Sequence, residues 1–194
     1  MITGESGRRQ AFKPGGPVAK MLACTRPSVL IVGSNMFAHG GIISALATKL
    51  DDVTLDPGAK LEYLNAIVRK WLLSKLPEEE SEWRELLTSD IKLSPFWTRI
   101  YGAIPQGSSI NSGQCSSEVK RVVEVFKIGK LIVGHTPQLS TNSNGINGTC
   151  YAEGKDNKLY RVDGGFADAF ERFHDNHRVQ VLEILNDNES TLNV

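Results

Sequence analysis

Lys130-Leu131-Ile132-Val133-Gly134-His135-Thr136-Pro137-Gln138 leaves few options for the chain around it. Its apolar run, Leu131 to Val133, stops at a glycine, and a histidine follows at once. Pro137 has no N–H to give, so a strand ladder cannot run past it. Upstream, Val119, Val122, Val123 and Phe126 recur at i, i+3, i+4, i+7, the spacing of an amphipathic helix. Helix, buried strand, then a polar loop at the strand's carboxyl end is the wiring of an α/β sheet. Ligand sites in such sheets gather beyond those ends. The expected fold class is α/β, and His135 stands where chemistry is usually placed.

Val29-Leu30-Ile31-Val32 repeats the design: Gly33-Ser34 suits a tight hairpin, and Asn35-Met36-Phe37-Ala38 then delivers His39 before Gly40-Gly41. Two neutral imidazoles at two strand ends are either half of a metal site or ordinary strand-end caps.

Lys and Arg number 22 and so do Asp and Glu, giving a formal net charge of zero. Extended nucleic-acid binding normally carries a basic excess, so it is not expected. No run reaches transmembrane length, and the polar opening, Met1 to Arg9, lacks the apolar stretch of a signal peptide. Cys24, Cys115 and Cys150 are odd in number and widely spaced, with no CxxC pair, which argues against a zinc ribbon or a disulfide framework. A cytoplasmic, reducing location is the expectation.

The expected organisation is a flexible arm over 1–17, a domain over 18–187 and a polar tail over 188–194. Within the domain, Ile42 to Leu50 reads as helical. Asp56-Pro57 marks a helix start, followed by an apolar stripe of Leu61, Leu64, Ile67, Val68, Trp71 and Leu72 that reads as core. Glu78-Glu79-Glu80 is a solvated opening to a helix with Trp83, Leu86 and Leu87 inside. Ser116 or Ser117 is expected to cap the helix before His135. Arg99 lies among Trp97, Ile100 and Tyr101 in a loop; it either presents its fork to a phosphate or stacks on Trp97. Further strands are expected at Thr149–Ala152, at Lys158–Val162 and, buried, over Arg178–Leu185, with a frayed tail from Asn186. Asp163, at the end of the second of these, either orients a metal-binding imidazole from behind or hydrogen-bonds its own loop. His174 and His177 read as surface residues.

Phe37-Ala38-His39-Gly40-Gly41, Trp97-Thr98-Arg99-Ile100-Tyr101, Val133-Gly134-His135-Thr136-Pro137-Gln138 and Arg161-Val162-Asp163-Gly164-Gly165, in that order, resemble the calcineurin-like metallophosphoesterases, and among them the bacterial-type (Shewanella-like) protein phosphatases. The resemblance runs from about Arg8 to Asp187. It implies a β-sandwich flanked by helices and hydrolysis of phosphoesters by a metal-activated water. It also implies His39 and His135 as ligands of the second metal, Arg99 on the substrate phosphate and Asp163 as a possible supporting group. Manganese, iron or zinc would suit such ligands.

The family's opening motifs, Gly-Asp-x-His-Gly, Gly-Asp-x-x-Asp-Arg-Gly and Gly-Asn-His-Glu, have no counterpart, since the chain holds neither a Gly-Asp nor a Gly-Asn dipeptide. The sequence therefore reads as the C-terminal half of such a domain, incomplete and inactive alone. The alternative is a non-catalytic phosphate- or phosphoprotein-binding module. The partners expected are a phosphoprotein or small phosphoester, and a separate chain supplying the missing half; no nucleic acid and no membrane are expected.

Overall fold

The computed structural model describes residues 4–54, 56–138, 145–152, 156–165, 167, 179–187 and 189–193. Five short strands make one mixed sheet: β1 (Val29–Val32), β2 (Asn35–Ala38), β3 (Lys130–Val133), β4 (Asn147–Tyr151) and β5 (Asn157–Arg161), in the order β1-β2-β3-β5-β4. The Gly33-Ser34 turn closes the β1–β2 hairpin as its sequence demands, with Val32 opposite Asn35. β2, β3 and β5 run parallel to one another, while β4 is antiparallel to β5. The parallel trio brings three carboxyl ends to one rim.

Among the described residues seven α-helices accompany the sheet: α1 (Gly4–Phe12), α2 (Pro17–Thr25), α3 (Ser44–Asp51), α4 (Pro57–Leu72), α5 (Ser81–Thr88), α6 (Ile100–Ala103) and α7 (Arg121–Phe126). Val29, Met36, Leu131, Val133 and Leu159 form the sheet's side of the core. Leu46 and Leu50 of α3, Leu64 and Ile67 of α4, Leu87 of α5 and Val122 of α7 pack over them. The start of α4 is the one the sequence announces: the Asp56 carboxylate accepts from the Ala59 N–H at 2.7 Å, and Pro57 opens the first turn. Its apolar stripe is core, with Leu64, Ile67 and Val68 buried.

Several expectations change. The expected β-sandwich is corrected: the described strands form one five-stranded sheet and, apart from it, a two-stranded sheet of β6 (Val181–Leu185) and β7 (Glu189–Asn193). β6 is not the buried strand expected from its apolar composition, since its residues alternate between exposed and half-buried. The segment expected to fray supplies its partner. Asp187 ties this hairpin to the sheet, its carboxylate accepting from the Ser34 N–H at 2.7 Å and from Asn35 Nδ2 at 2.7 Å. The N-terminal arm is helical, as α1, with no buried residue.

The helix before β3 begins with a π-helical turn over Cys115–Lys120 rather than a serine cap, and Gln114 at its start makes no side-chain cap. Cysteine usage is also corrected. Cys115 and Cys150, both fully buried, form a disulfide that staples this turn to β4, and Cys24 is free and exposed. Odd cysteine number alone did not exclude one pair. No helix among the described residues is long and apolar enough to cross a membrane. His174 and His177 lie outside the described residues.

Candidate functional site

β2, β3 and β5 end side by side, and the residues just beyond them are His39, His135 and Asp163. Main-chain bonds lock the three loops together. Gly134 N–H donates to His39 O at 2.8 Å, Val162 N–H to Val133 O at 2.8 Å, and Gln138 N–H to Asp163 O at 2.8 Å.

His135 occupies a tight turn in which Thr136 N–H donates back to Gly134 O at 2.8 Å, and its own φ is +65°. A side chain in the left-handed region costs on the order of 1–3 kcal/mol and persists only where surrounding contacts fix it. Here it turns the imidazole toward its neighbour. His39 Nε2 and His135 Nδ1 lie 3.0 Å apart, with ring centroids 4.7 Å apart. His39 is exposed and His135 half-buried. Burial, then the positive charges of Arg99 and His39, lower the His135 pKa, so its ring is neutral at pH 7 and keeps a lone pair. Its Nε2 is buried, and a main-chain hydrogen bond with Trp97 acts on the ring in the opposite sense, raising its pKa against the larger lowering effects.

Arg99 reaches the same rim from the loop before α6. Its Nη1 donates to the His135 carbonyl at 2.8 Å, and among the described residues no other acceptor engages the exposed guanidinium. The described residues show no Arg99–Trp97 stack. Trp97 instead stands edge-on to His135 at 6.0 Å and donates from Nε1 to Thr88 O at 3.3 Å. The loop is seated by Gly40, whose N–H donates to Pro95 O at 2.6 Å. A Cβ on Gly40 would lie 2.8 Å from Thr98 O, so only glycine permits this approach.

Asp163 has a local hydrogen bond of its own: Oδ1 accepts from Gly165 N–H at 3.1 Å. Its negative charge nevertheless raises the His135 pKa slightly against the larger lowering effects. Beside the imidazole pair opens an apolar groove of about 470 Å³, with Val68, Trp71, Phe96 and Trp97 among its walls.

The two facing imidazole nitrogens are at hydrogen-bond distance, one ring donating and the other accepting according to tautomer. The described residues gather no group of three or more His, Cys, Asp or Glu side chains that could hold a metal. No local sequence pattern marks the buried polar group beneath the rim, in which Arg161, Asn147 and Gln138 bond to one another and to the loops above. Arg161 ends a strand, where a charged residue normally reads as solvent-facing.

The fold is similar to that of two solved structures of a cold-active protein tyrosine phosphatase. They match with TM-scores of 0.50 and 0.51 at 18% and 17% identity, over 86% of this chain in each case. The chain spans about two-fifths of their length, 42% and 41%. The chain belongs to the family of the uncharacterised protein R398 of Acanthamoeba polyphaga mimivirus, to which it is 59% identical over 186 residues, 95% of this chain and 74% of that protein. No family model matches the chain. The calcineurin-like assignment is therefore corrected: the solved structures of similar fold bear the name of a tyrosine phosphatase, and the sheet is not the sandwich that assignment implied.

Proposed function

We propose that this rim is the phosphate-handling part of a phosphatase-type hydrolase acting on phosphoesters. One observation carries the reading: two imidazole nitrogens 3.0 Å apart, with a guanidinium anchored on the carbonyl of one of them and otherwise free among the described residues. A guanidinium presents parallel N–H donors that match two phosphate oxygens, and charge-assisted bonds of this kind are about twice as strong as neutral ones. Anchoring Arg99 through Nη1 fixes the fork before a phosphate arrives, which reduces the entropy lost on binding.

His39 Nε2 and His135 Nδ1 would hold a divalent ion, of manganese, iron or zinc type. Such an ion, when bound, polarises a phosphoryl oxygen and lowers the pKa of its water. The left-handed turn at His135 aims that ligand, and its depressed pKa keeps the nitrogen unprotonated at neutral pH. Asp163, from the third strand end, supports the His135 ring electrostatically. The apolar groove beside the pair suits the organic part of an ester, and the aromatic rings of Trp71, Phe96 and Trp97 favour an aryl group there. The name borne by the similar structures accords with an aryl phosphate such as phosphotyrosine.

A second reading, a phosphate-binding module without turnover, is favoured by the count of metal-type donors: two imidazoles here rather than three groups. Phosphate binding and hydrolysis of p-nitrophenyl phosphate, each with manganese and with chelator, separate the readings. Manganese-dependent turnover lost in His135→Ala supports the hydrolase. Phosphate binding that is indifferent to chelator but lost in Arg99→Ala supports the module. Absence of both activities would overturn the phosphate reading.

A further inference from the structure

Arg161 is almost wholly buried at the end of β5, two residues before Asp163. No carboxylate accepts from it among the described residues. Its Nε donates to Asn147 Oδ1 at 2.8 Å, and Nη2 bonds the same oxygen. Nη1 turns the other way, to the carbonyls of Tyr101 at 3.4 Å, Gly102 at 3.5 Å and Ile104. These carbonyls belong to α6 and the residue beyond it, the segment that begins immediately after Arg99. Burial lowers the Arg161 pKa to about 10, so the group remains a cation at neutral pH.

The network continues to the other side of the site. Asn147 Nδ2 donates to Gln138 Oε1 at 3.0 Å, and Gln138 Nε2 donates to Thr136 O at 2.9 Å and Gly102 O at 3.3 Å. Thr136 is the residue after His135 and closes its strained turn. The same two segments also touch directly: a Cβ on Gly102 would lie 2.2 Å from Thr136 Cβ. A buried cation held by neutral carbonyls is a costly way to fill space, because desolvation is not offset by an opposite charge. What it gains here is a rigid link between segments that carry different parts of one rim.

We infer that Arg161, Asn147 and Gln138 form a positioning frame that sets Arg99 relative to His135. The inference rests on the proposed phosphate site, since it assigns the frame the task of spacing that site's fork from its imidazoles. It is a role through other residues, because the frame lies beneath the rim and Arg161 reaches α6 rather than the His39–His135 pair.

The test uses the full chain and two variants, Gln138→Met and Arg161→Met, with the first as the milder change. Backbone amide exchange is measured residue by residue, and inorganic phosphate binding by calorimetry. The expected result for Gln138→Met is faster exchange confined to 99–104 and 134–138, with β1–β2 unchanged, and phosphate affinity reduced about tenfold. Adding Arg99→Ala to Gln138→Met should cost little more than Arg99→Ala alone, because the frame acts through that arginine. Exchange that rises uniformly across the sheet, or an unaltered pattern in both loops, would overturn the frame. If the unmodified chain binds no phosphate, the site reading fails, and the exchange pattern alone still decides whether the frame exists.

Discussion

At the residue scale, Arg99 and His135 carry most of the interpretable chemistry. Arg99→Ala should reduce phosphate affinity by about 10- to 100-fold, the worth of one or two charge-assisted hydrogen bonds, while circular dichroism stays unchanged. Arg99→Lys should restore little, because an ammonium cannot form the planar fork. For His135 the sign of the pH effect follows from its depressed pKa. An unfolded imidazole titrates near 6.5 and the folded one below that, so on acidification the unfolded state takes the proton first. Stability of the metal-free chain should fall as pH drops below about 6.5 and level off below the folded value. Denaturant melts between pH 5 and 8 check this, and His135→Gln should remove that limb of the profile. His39, His135 and Asp163 were legible because each follows a short strand pattern and stands beside glycine. Arg161 was not, since nothing local distinguishes a buried strand-end arginine from an exposed one; only the distant carbonyls of α6 do so.

At the scale of elements, the strongest local signals were those with a capping or turn mechanism. Asp56-Pro57 and Gly33-Ser34 fixed the start of α4 and the β1–β2 hairpin. Asp56→Ala should cost about 1 kcal/mol by removing the acceptor for the Ala59 N–H, measurable as a lower denaturation midpoint. Gly102→Ala places a methyl carbon 2.2 Å from Thr136 Cβ, so α6 must move from the His135 turn. The expected loss is about 1–3 kcal/mol, with phosphate binding weakened as well. The β6–β7 hairpin was only half legible. Its apolar composition resembles that of a central strand, but the ladder places it in a separate sheet, and strand partners are decided by long-range pairing that a local pattern does not encode.

For the whole molecule, the parallel trio β2, β3 and β5 does what the two matching strand-then-histidine patterns suggested: it gathers their ends. Their order in the five-stranded sheet depends on pairings between segments far apart in the chain, Asn35 with Lys130 and Leu131 with Leu159. The Cys115–Cys150 disulfide is likewise a tertiary fact, joining positions 35 apart through burial on both sides. On the chain-entropy account, a loop of that length makes the bond worth about 3–4 kcal/mol. The Tm should therefore fall clearly when dithiothreitol is added to partly denatured chain, and an unchanged Tm under those conditions would show the thiols to be unpaired.

Whether His39 and His135, whose facing nitrogens lie 3.0 Å apart, bind one metal ion beside Arg99 decides the proposed site. Manganese binding in the presence of phosphate, followed by electron paramagnetic resonance, tests it most directly. One ion per chain is expected, with binding lost in either His39→Ala or His135→Ala and retained in Asp56→Ala. Binding that survives both histidine substitutions, or no binding at millimolar manganese, would contradict it.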